Sequence, residues 1–169
     1  MRSLSVTFTG ASHVNVRIDM NPFAPATQSI LPAVAAIIFD KRGQVLLQKR
    51  RDVEQWGLIG GHVEFGETVE QAIYREIQEE TALTIRIDKL IGVYSDPASQ
   101  TYHYAHQSVQ YITTYFRGRL LGDFKDVFAN EETIQLGLFS VDALPAALAQ
   151  LNAHWLTDAL NLTSEAFVR

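Results

Sequence analysis

The chain opens on an alternation of apolar and polar positions. Leu4, Val6 and Phe8, then Val14, Val16 and Ile18, flank Thr9-Gly10-Ala11-Ser12. Period two on both sides of a turn-forming stretch predicts a small N-terminal hairpin. An irregular connector, Asn21-Pro22-Phe23-Ala24-Pro25, follows. A β-rich apolar run over 33–39 leads through Asp40-Lys41-Arg42-Gly43 into a second strand over 44–48, and the pair reads as a hairpin with one face buried. Residues 57–61 form a short glycine-flanked apolar stretch. Strands are expected over 83–87, 90–94, 109–117 and 134–139, with a Tyr- and His-rich loop over 96–107. Residues 141–161 read as mostly helical, with Pro145 opening the main segment.

Between these strands lies the clearest helix. Thr68 followed by Gln71 fits a capping box, and Val69, Ala72, Ile73 and Ile77 recur at helical spacing, which predicts a helix over 68–81. At about 100° per residue, Glu80 falls within about 20° of Ile73 and Glu76 within about 60°. Two carboxylates therefore occupy the face where an ordinary amphipathic helix carries leucines, while Glu79 sits about 120° away.

Composition sharpens this picture. A chain of 169 residues with 47% hydrophobic and 20% charged content has room for one globular α+β domain. With no cysteine, it has no disulfide framework, no thiolate nucleophile and no sulfur-based zinc site. No apolar run approaches the ~20 residues of a membrane span, and Met1-Arg2-Ser3-Leu4 lacks the charged-then-apolar pattern of a signal peptide, so no membrane partner and a cytoplasmic location are expected. The net charge is −5, and the whole excess sits over 61–83, where six glutamates face one arginine. The remainder is balanced and offers no basic track, which argues against long nucleic acid as the main partner.

Charge runs are most often solvated helix faces, here with Arg75 and Glu79 paired at i,i+4. That account fits poorly, because carboxylates crowded on an apolar face repel one another unless a positive charge joins them. With a single arginine in the segment, the missing charge comes from outside, and oxygen-only donors select a hard cation, Mg²⁺ or Mn²⁺.

The spacing adds an identification. Gly61, Glu67, Arg75, Glu76, Glu79 and Glu80, closing on Ala82-Leu83, resemble the Nudix box, the loop-helix-loop signature of the Nudix hydrolases. Ala82 stands where the family has a second glycine. Alanine disfavours positive φ, so the helix is expected to end differently here. The approach Trp56-Gly57-Leu58-Ile59-Gly60-Gly61, with Ile59 where proline is frequent, and the downstream Leu138 to Pro145 are also similar to the family. The resemblance covers about 31–151. It implies an α/β/α sandwich with a mixed sheet between helices, a single domain over 1–169 with a core over 31–160 and residues 1–30 as a hairpin extension, which is a candidate homodimer contact.

By the same resemblance, the activity is hydrolysis of a pyrophosphate bond in a nucleoside diphosphate joined to another group: a nucleotide sugar, a dinucleotide or a nucleoside triphosphate. Glu76 and Glu80 are the implied metal ligands, helped by Glu79 and the Gly60 carbonyl. The general base is either Glu76 or a downstream carboxylate, Glu131 or Glu132. Arg75 orients the carboxylates and Glu67 supports it, while Gly61 turns tightly to bring backbone near the metal. Arg50 matches a basic phosphate contact. Trp56, Phe65, Tyr94, Tyr102 and Tyr104 are candidate base-stacking residues, although core packing is the commoner fate of aromatics. His62, His103 and His106 are weaker candidates for phosphate. Removal of pyrophosphate from an RNA 5′ end and non-catalytic nucleotide sensing are the alternative functions. The isoprenoid isomerase branch relies on a cysteine that this chain lacks.

Overall fold

The computed structural model describes residues 4–8, 14–18, 27–124 and 128–169. The expected N-terminal hairpin is present as β1 (Leu4–Phe8) and β2 (Val14–Ile18), antiparallel with Leu4 opposite Ile18. Its turn and the connector at 21–25 lie outside the described residues.

The core is a nine-stranded mixed sheet. Its spine is β3 (Thr27–Phe39), longer than the apolar run because the strand extends through an exposed polar start. β3 runs parallel to β9 (Gln107–Leu120) along its whole length. On its other edge β3 meets β4 (Val45–Arg50) at Ile38 and Phe39, then β6 (Ile59–His62) over Ala33 to Ala36. β5 (Trp56–Gly57) and β10 (Thr133–Phe139) pair with β4, and β7 (Ile85–Tyr94) pairs antiparallel with β9.

The β3–β4 pair buries both faces, not the single face its pattern suggested. Val34, Ala36, Ile38 and Leu46 enter one apolar cluster, and Ile37, Phe39, Val45 and Leu47 the other. The reason is that the sheet is covered twice. α1 (Val69–Thr81) packs Ala72, Ile73 and Ile77 on one face, and α3 (Trp155–Leu160) packs Trp155 and Ala159 on the other. Strands buried on both sides read as continuous apolar runs rather than alternations. The result is the expected α/β/α sandwich.

Three expectations are corrected. The two strands at 83–87 and 90–94 are one strand, β7, whose register slips between Ile87 and Lys89 and again between Leu90 and Gly92. Irregularities of this kind look like a break in the sequence pattern but only bend the strand. The loop at 96–107 contains a short helix, α2 (Pro97–Gln100), capped by the Asp96 side chain, and β8 (Thr101–His103), which pairs with β9.

The third correction is that only α3 is α-helical within 141–161. Its upstream half follows β5 instead: Trp56 N–H donates to the Ala147 carbonyl and Ala149 N–H to the Trp56 carbonyl, each at 2.8 Å. Backbone groups spent on a strand edge are unavailable for helix turns. β11 (Phe167–Val168), unforeseen in the sequence, adds to β7 in parallel.

α1 begins as expected, with Thr68 and Gln71 completing the capping box. Val69, in its first turn, is exposed rather than part of the core face. Its end overturns the expectation for Ala82. The residue takes the left-handed conformation (φ 54°, ψ 18°) and its N–H donates to the Gln78 carbonyl, as a glycine would. Tertiary packing thus imposes a strained dihedral on a side chain that resists it. Ala82→Gly is expected to raise stability by about 1 kcal/mol, read as a higher urea midpoint at unchanged m-value.

Candidate active site

α1 and β6 bring the box residues together. Glu76 (9% exposed) and Glu80 (6%) are buried on the sheet-facing side of α1, as their helical phase requires. Gly60 sits opposite them: its N–H donates to Glu80 Oε2 at 3.0 Å. Gly60 has φ 155°, and a Cβ there would stand 2.2 Å from the Val34 carbonyl oxygen, so only glycine lets β6 lie this close to β3. Gly61 has no positive φ, contrary to the tight turn expected of it; its role is spatial. A Cβ at Gly61 would meet the Glu76 carboxylate at 2.5–2.8 Å. Gly61→Ala is therefore expected to displace Glu76 and cut turnover on the order of a hundredfold, with circular dichroism unchanged.

Arg75 ties the carboxylates into one network. Its Nε and Nη2 donate to Glu67 at 3.1 and 2.8 Å, Nη1 donates to Glu76 at 2.9 Å and Glu79 at 3.1 Å, and Nη2 reaches the His62 carbonyl at 3.0 Å. Glu67 also accepts the Glu64 N–H, and the Arg75 fork holds its carboxyl below the usual range. Burial pushes Glu76 up, against the pull of Arg75. Burial pushes Glu80 further, to about 8, despite the Gly60 N–H and the nearby Gln48 amide.

Glu76, Glu79 and Glu80 form one wall of a cleft of ≈ 240 Å³; Asn130, Glu131 and Glu132 form the other. Among the described residues no three Asp, Glu or His side chains converge as a ready cation cage, because Arg75 draws Glu76 and Glu79 aside while Gly60 holds Glu80. The donor set nonetheless fits a hard divalent cation. It consists of oxygens alone, and two of the carboxylates are buried where their negative charge is unfavourable without a cation.

Asn130 escaped the sequence reading. Its Nδ2 donates to the Glu79 carbonyl at 2.8 Å, and its Oδ1 accepts from the N–H groups of Glu132 and Thr133. Arg51, on the other side, donates to the Asn130 and Thr133 carbonyls. The loop carrying Glu131 and Glu132 is thereby fastened to the end of α1. Asparagine before two acidic residues, with a side chain suited to capping a turn, was the available signal.

Of the candidate substrate contacts, Arg50 ends β4, near enough to Glu80 and Tyr102 to sense their charge, and is paired with Asp52 at 2.7 Å. Phe65 is fully exposed on the loop before α1. Trp56 packs edge-on against Phe139 at 4.7 Å. Tyr94 is fully buried on the α3 side of the sheet, stacked on Tyr115 and donating to Asp158 at 2.8 Å, so the structure gives it a packing role. Tyr102 instead lies beside Tyr111, which the sequence reading passed over, and Tyr111 contacts His62. His103 bonds Ser108, while the His106 backbone meets Thr27.

A stretch 50% identical over 70 residues, 39% of this chain, is shared with an ADP-ribose pyrophosphatase of Methanocaldococcus jannaschii. Another, 45% identical over 64 residues and 38% of this chain, is shared with a putative 8-oxo-dGTP diphosphatase of Bacillus subtilis. The matched stretches span 41% and 43% of those relatives, less than half their length. A solved ADP-ribose pyrophosphatase from Streptococcus suis shares the fold, with a TM-score of 0.64 at 24% identity over 82% of this chain and 97% of that one. A UDP-X diphosphatase superposes with a TM-score of 0.62 at 26% identity, over 76% of this chain and 60% of its own. The model of the NUDIX domain matches residues 30–159, and the chain belongs to that family.

Proposed function

We propose that this chain hydrolyses the pyrophosphate linkage of a nucleoside diphosphate joined to a further group, at the cleft between α1 and the 130–132 loop, with Mg²⁺ or Mn²⁺ as cofactor. The observation that carries the reading is the buried pair Glu76 and Glu80, aligned by Arg75 and Gly60 at the mouth of an all-oxygen cleft. The names of the relatives, which describe cleavage of phosphate anhydrides in nucleotides, support the reaction class. Loss of the box carboxylates is what a purely sensing domain would show, and here all are in place.

Glu76 and Glu80 would hold the cation, joined by the exposed Glu79 side chain and the Gly60 carbonyl. A bound divalent cation supplies positive charge for phosphate oxygens and lowers the pKa of water. The water oxygen forms a bond to phosphorus, the bridging P–O bond breaks, and the water proton passes to a carboxylate. Glu132 is our candidate for that transfer; its exposure in the cleft lining, while Glu76 is engaged by Arg75, supports this reading. Arg50, at the end of β4 and released from Asp52, would meet the phosphates.

Product release from a panel of nucleotide sugars, dinucleotides, nucleoside triphosphates and a 5′-triphosphate RNA, with Mg²⁺, Mn²⁺ or EDTA, tests this. Cleavage of a nucleoside diphosphate class in the presence of either metal, and none in EDTA, is expected. Nucleotide binding with no cleavage anywhere in the panel would favour the sensing domain.

A further inference from the structure

Glu80 is held at its backbone as well as at its carboxylate. The carboxylate accepts from Gly60 N–H, and the Glu80 carbonyl accepts from the Thr133 hydroxyl at 2.9 Å. That hydroxyl in turn accepts from the Gln48 side-chain amide at 2.8 Å. Thr133 is fully buried and Gln48 only 2% exposed, a rare setting for two polar side chains. Thr133 is also fixed through its main chain, its N–H donating to Asn130 Oδ1 and its carbonyl accepting from Arg51.

The donor inventory sets the direction of this chain of bonds. A carbonyl oxygen only accepts, so Thr133 donates to Glu80 and its hydroxyl oxygen is left to accept. Only the Nε2 side of the Gln48 amide can supply that hydrogen. A bulge makes the meeting possible. β10 sets Leu136 opposite Gln48 and Gln135 opposite Lys49, yet Thr133 stands opposite Arg50, because the register slips at Ile134. Without the slip Thr133 would oppose Arg51, on the other face of the sheet; with it, Thr133 shares the face of Gln48.

The same bonds join the two walls of the cleft. The last carbonyls of an α-helix have no partners within it. In α1 the Glu79 carbonyl takes the Asn130 side-chain amide, and the Glu80 carbonyl takes the Thr133 hydroxyl. Both donors flank Glu131 and Glu132, so the wall that carries Glu132 is fastened to the wall that carries Glu76 and Glu80.

We propose that Thr133, aimed by Gln48, is a positioning residue for turnover, setting the spacing across the cleft between the α1 carboxylates and Glu132. The proposal rests on the pyrophosphohydrolase reading above, with Glu132 as acceptor of the water proton. Without the hydroxyl, Asn130 and Arg51 still hold the loop, so alignment is lost rather than the fold. Glu76 keeps Arg75 and Glu80 keeps Gly60, so the carboxylates that would hold the cation are spared.

The test pairs kinetics of the full chain in Mg²⁺ with amide hydrogen exchange in EDTA. Thr133→Val keeps the shape of the side chain and removes its hydroxyl. It should lower kcat about thirtyfold, with KM and Mn²⁺ affinity held within about twofold. Thr133→Ser should recover most of kcat. In EDTA the Glu132 and Thr133 amides should exchange about tenfold faster in Thr133→Val than in the wild type. Because valine leaves the Gln48 amide buried without its acceptor, Gln48→Met is combined with Thr133→Val in a second variant. That double variant should lose no more kcat than Thr133→Val alone, since the two side chains act as one unit.

An unchanged kcat in either folded variant would overturn the proposal, as would a loss that Thr133→Ser fails to recover. A fall in Mn²⁺ affinity as large as the fall in kcat would overturn it too, because the hydroxyl would then act on the cation site alone. Unaltered exchange at Glu132 and Thr133 would refute the fastening of the walls, whatever the activity. Faster exchange in the variants, with no hydrolysis of any nucleotide by the wild type, would uphold the fastening and defeat the hydrolase reading instead.

Discussion

Replacing Glu80 by glutamine is expected to lower metal-dependent turnover on the order of 10³-fold and to leave the fold intact. The amide oxygen can still accept from Gly60 N–H, and the volume hardly changes. Stability of the metal-free protein should move the other way. Burial pushes the Glu80 carboxyl up from 4.5 to about 8, so the folded state retains a proton that the unfolded chain releases. Between about pH 4.5 and 8 the folded state therefore binds more protons, and its stability falls as pH rises. A shift of this size corresponds to about 5 kcal/mol as an upper bound, and Glu76, also raised by burial, adds in the same direction.

Asp158 works oppositely. Its bonds to Arg169 and Tyr94 hold it below the usual range, and that support is lost only as pH falls through the acid range. Melting curves in EDTA should thus show a Tm that declines from pH 5 to 8 in the wild type. The decline should be much flatter in Glu80→Gln, and Mg²⁺ should restore the wild-type Tm at pH 8. A wild-type Tm that rises over this interval would contradict the burial assigned to Glu80.

The second large effect is at Arg75. One guanidinium bonds three carboxylates and a backbone carbonyl, with only 24% of the side chain exposed. Arg75→Leu leaves the buried Glu76 without its counter-charge, which costs about 3 kcal/mol, a sizeable part of the 5–15 kcal/mol that holds a typical domain together. Arg75→Lys should recover part of the stability but little of the activity. A point charge on a flexible stem cannot hold Glu67 with two parallel bonds while also reaching Glu76 and Glu79. Urea unfolding and turnover, measured on both variants, separate these effects; equal activity in Arg75→Lys and wild type would show that charge alone is required.

Much of this was legible because the local signals and the tertiary demands agree. The capping box at Thr68, the core phase of Ile73 and Ile77, and the anomalous carboxylates at Glu76 and Glu80 all follow from helical periodicity. The sequence was less informative where distant segments decide. Ala82 accepts a left-handed dihedral that its own preference opposes, and Ala147 and Ala149 spend backbone hydrogen bonds on the edge at Trp56 rather than on a helix. Tyr94 and Tyr111 are both tyrosines on strands near the box, but Tyr94 is fully buried against Tyr115, whereas Tyr111, four residues before Tyr115 on β9, is half-buried beside His62. Which tyrosine meets solvent depends on sheet topology, through the parallel β3–β9 pairing and the placement of β8. No spacing within either strand carries that information.

If the cleft of Glu76 and Glu80 holds the cation, as we propose, a Mn²⁺ titration followed by electron paramagnetic resonance will show it. The wild type should deplete the free Mn²⁺ signal with saturable binding, and Glu80→Gln, with a native circular dichroism spectrum, should weaken that binding at least tenfold. Equal Mn²⁺ affinity in the wild type and the folded mutant would contradict the account and move the cation site away from α1.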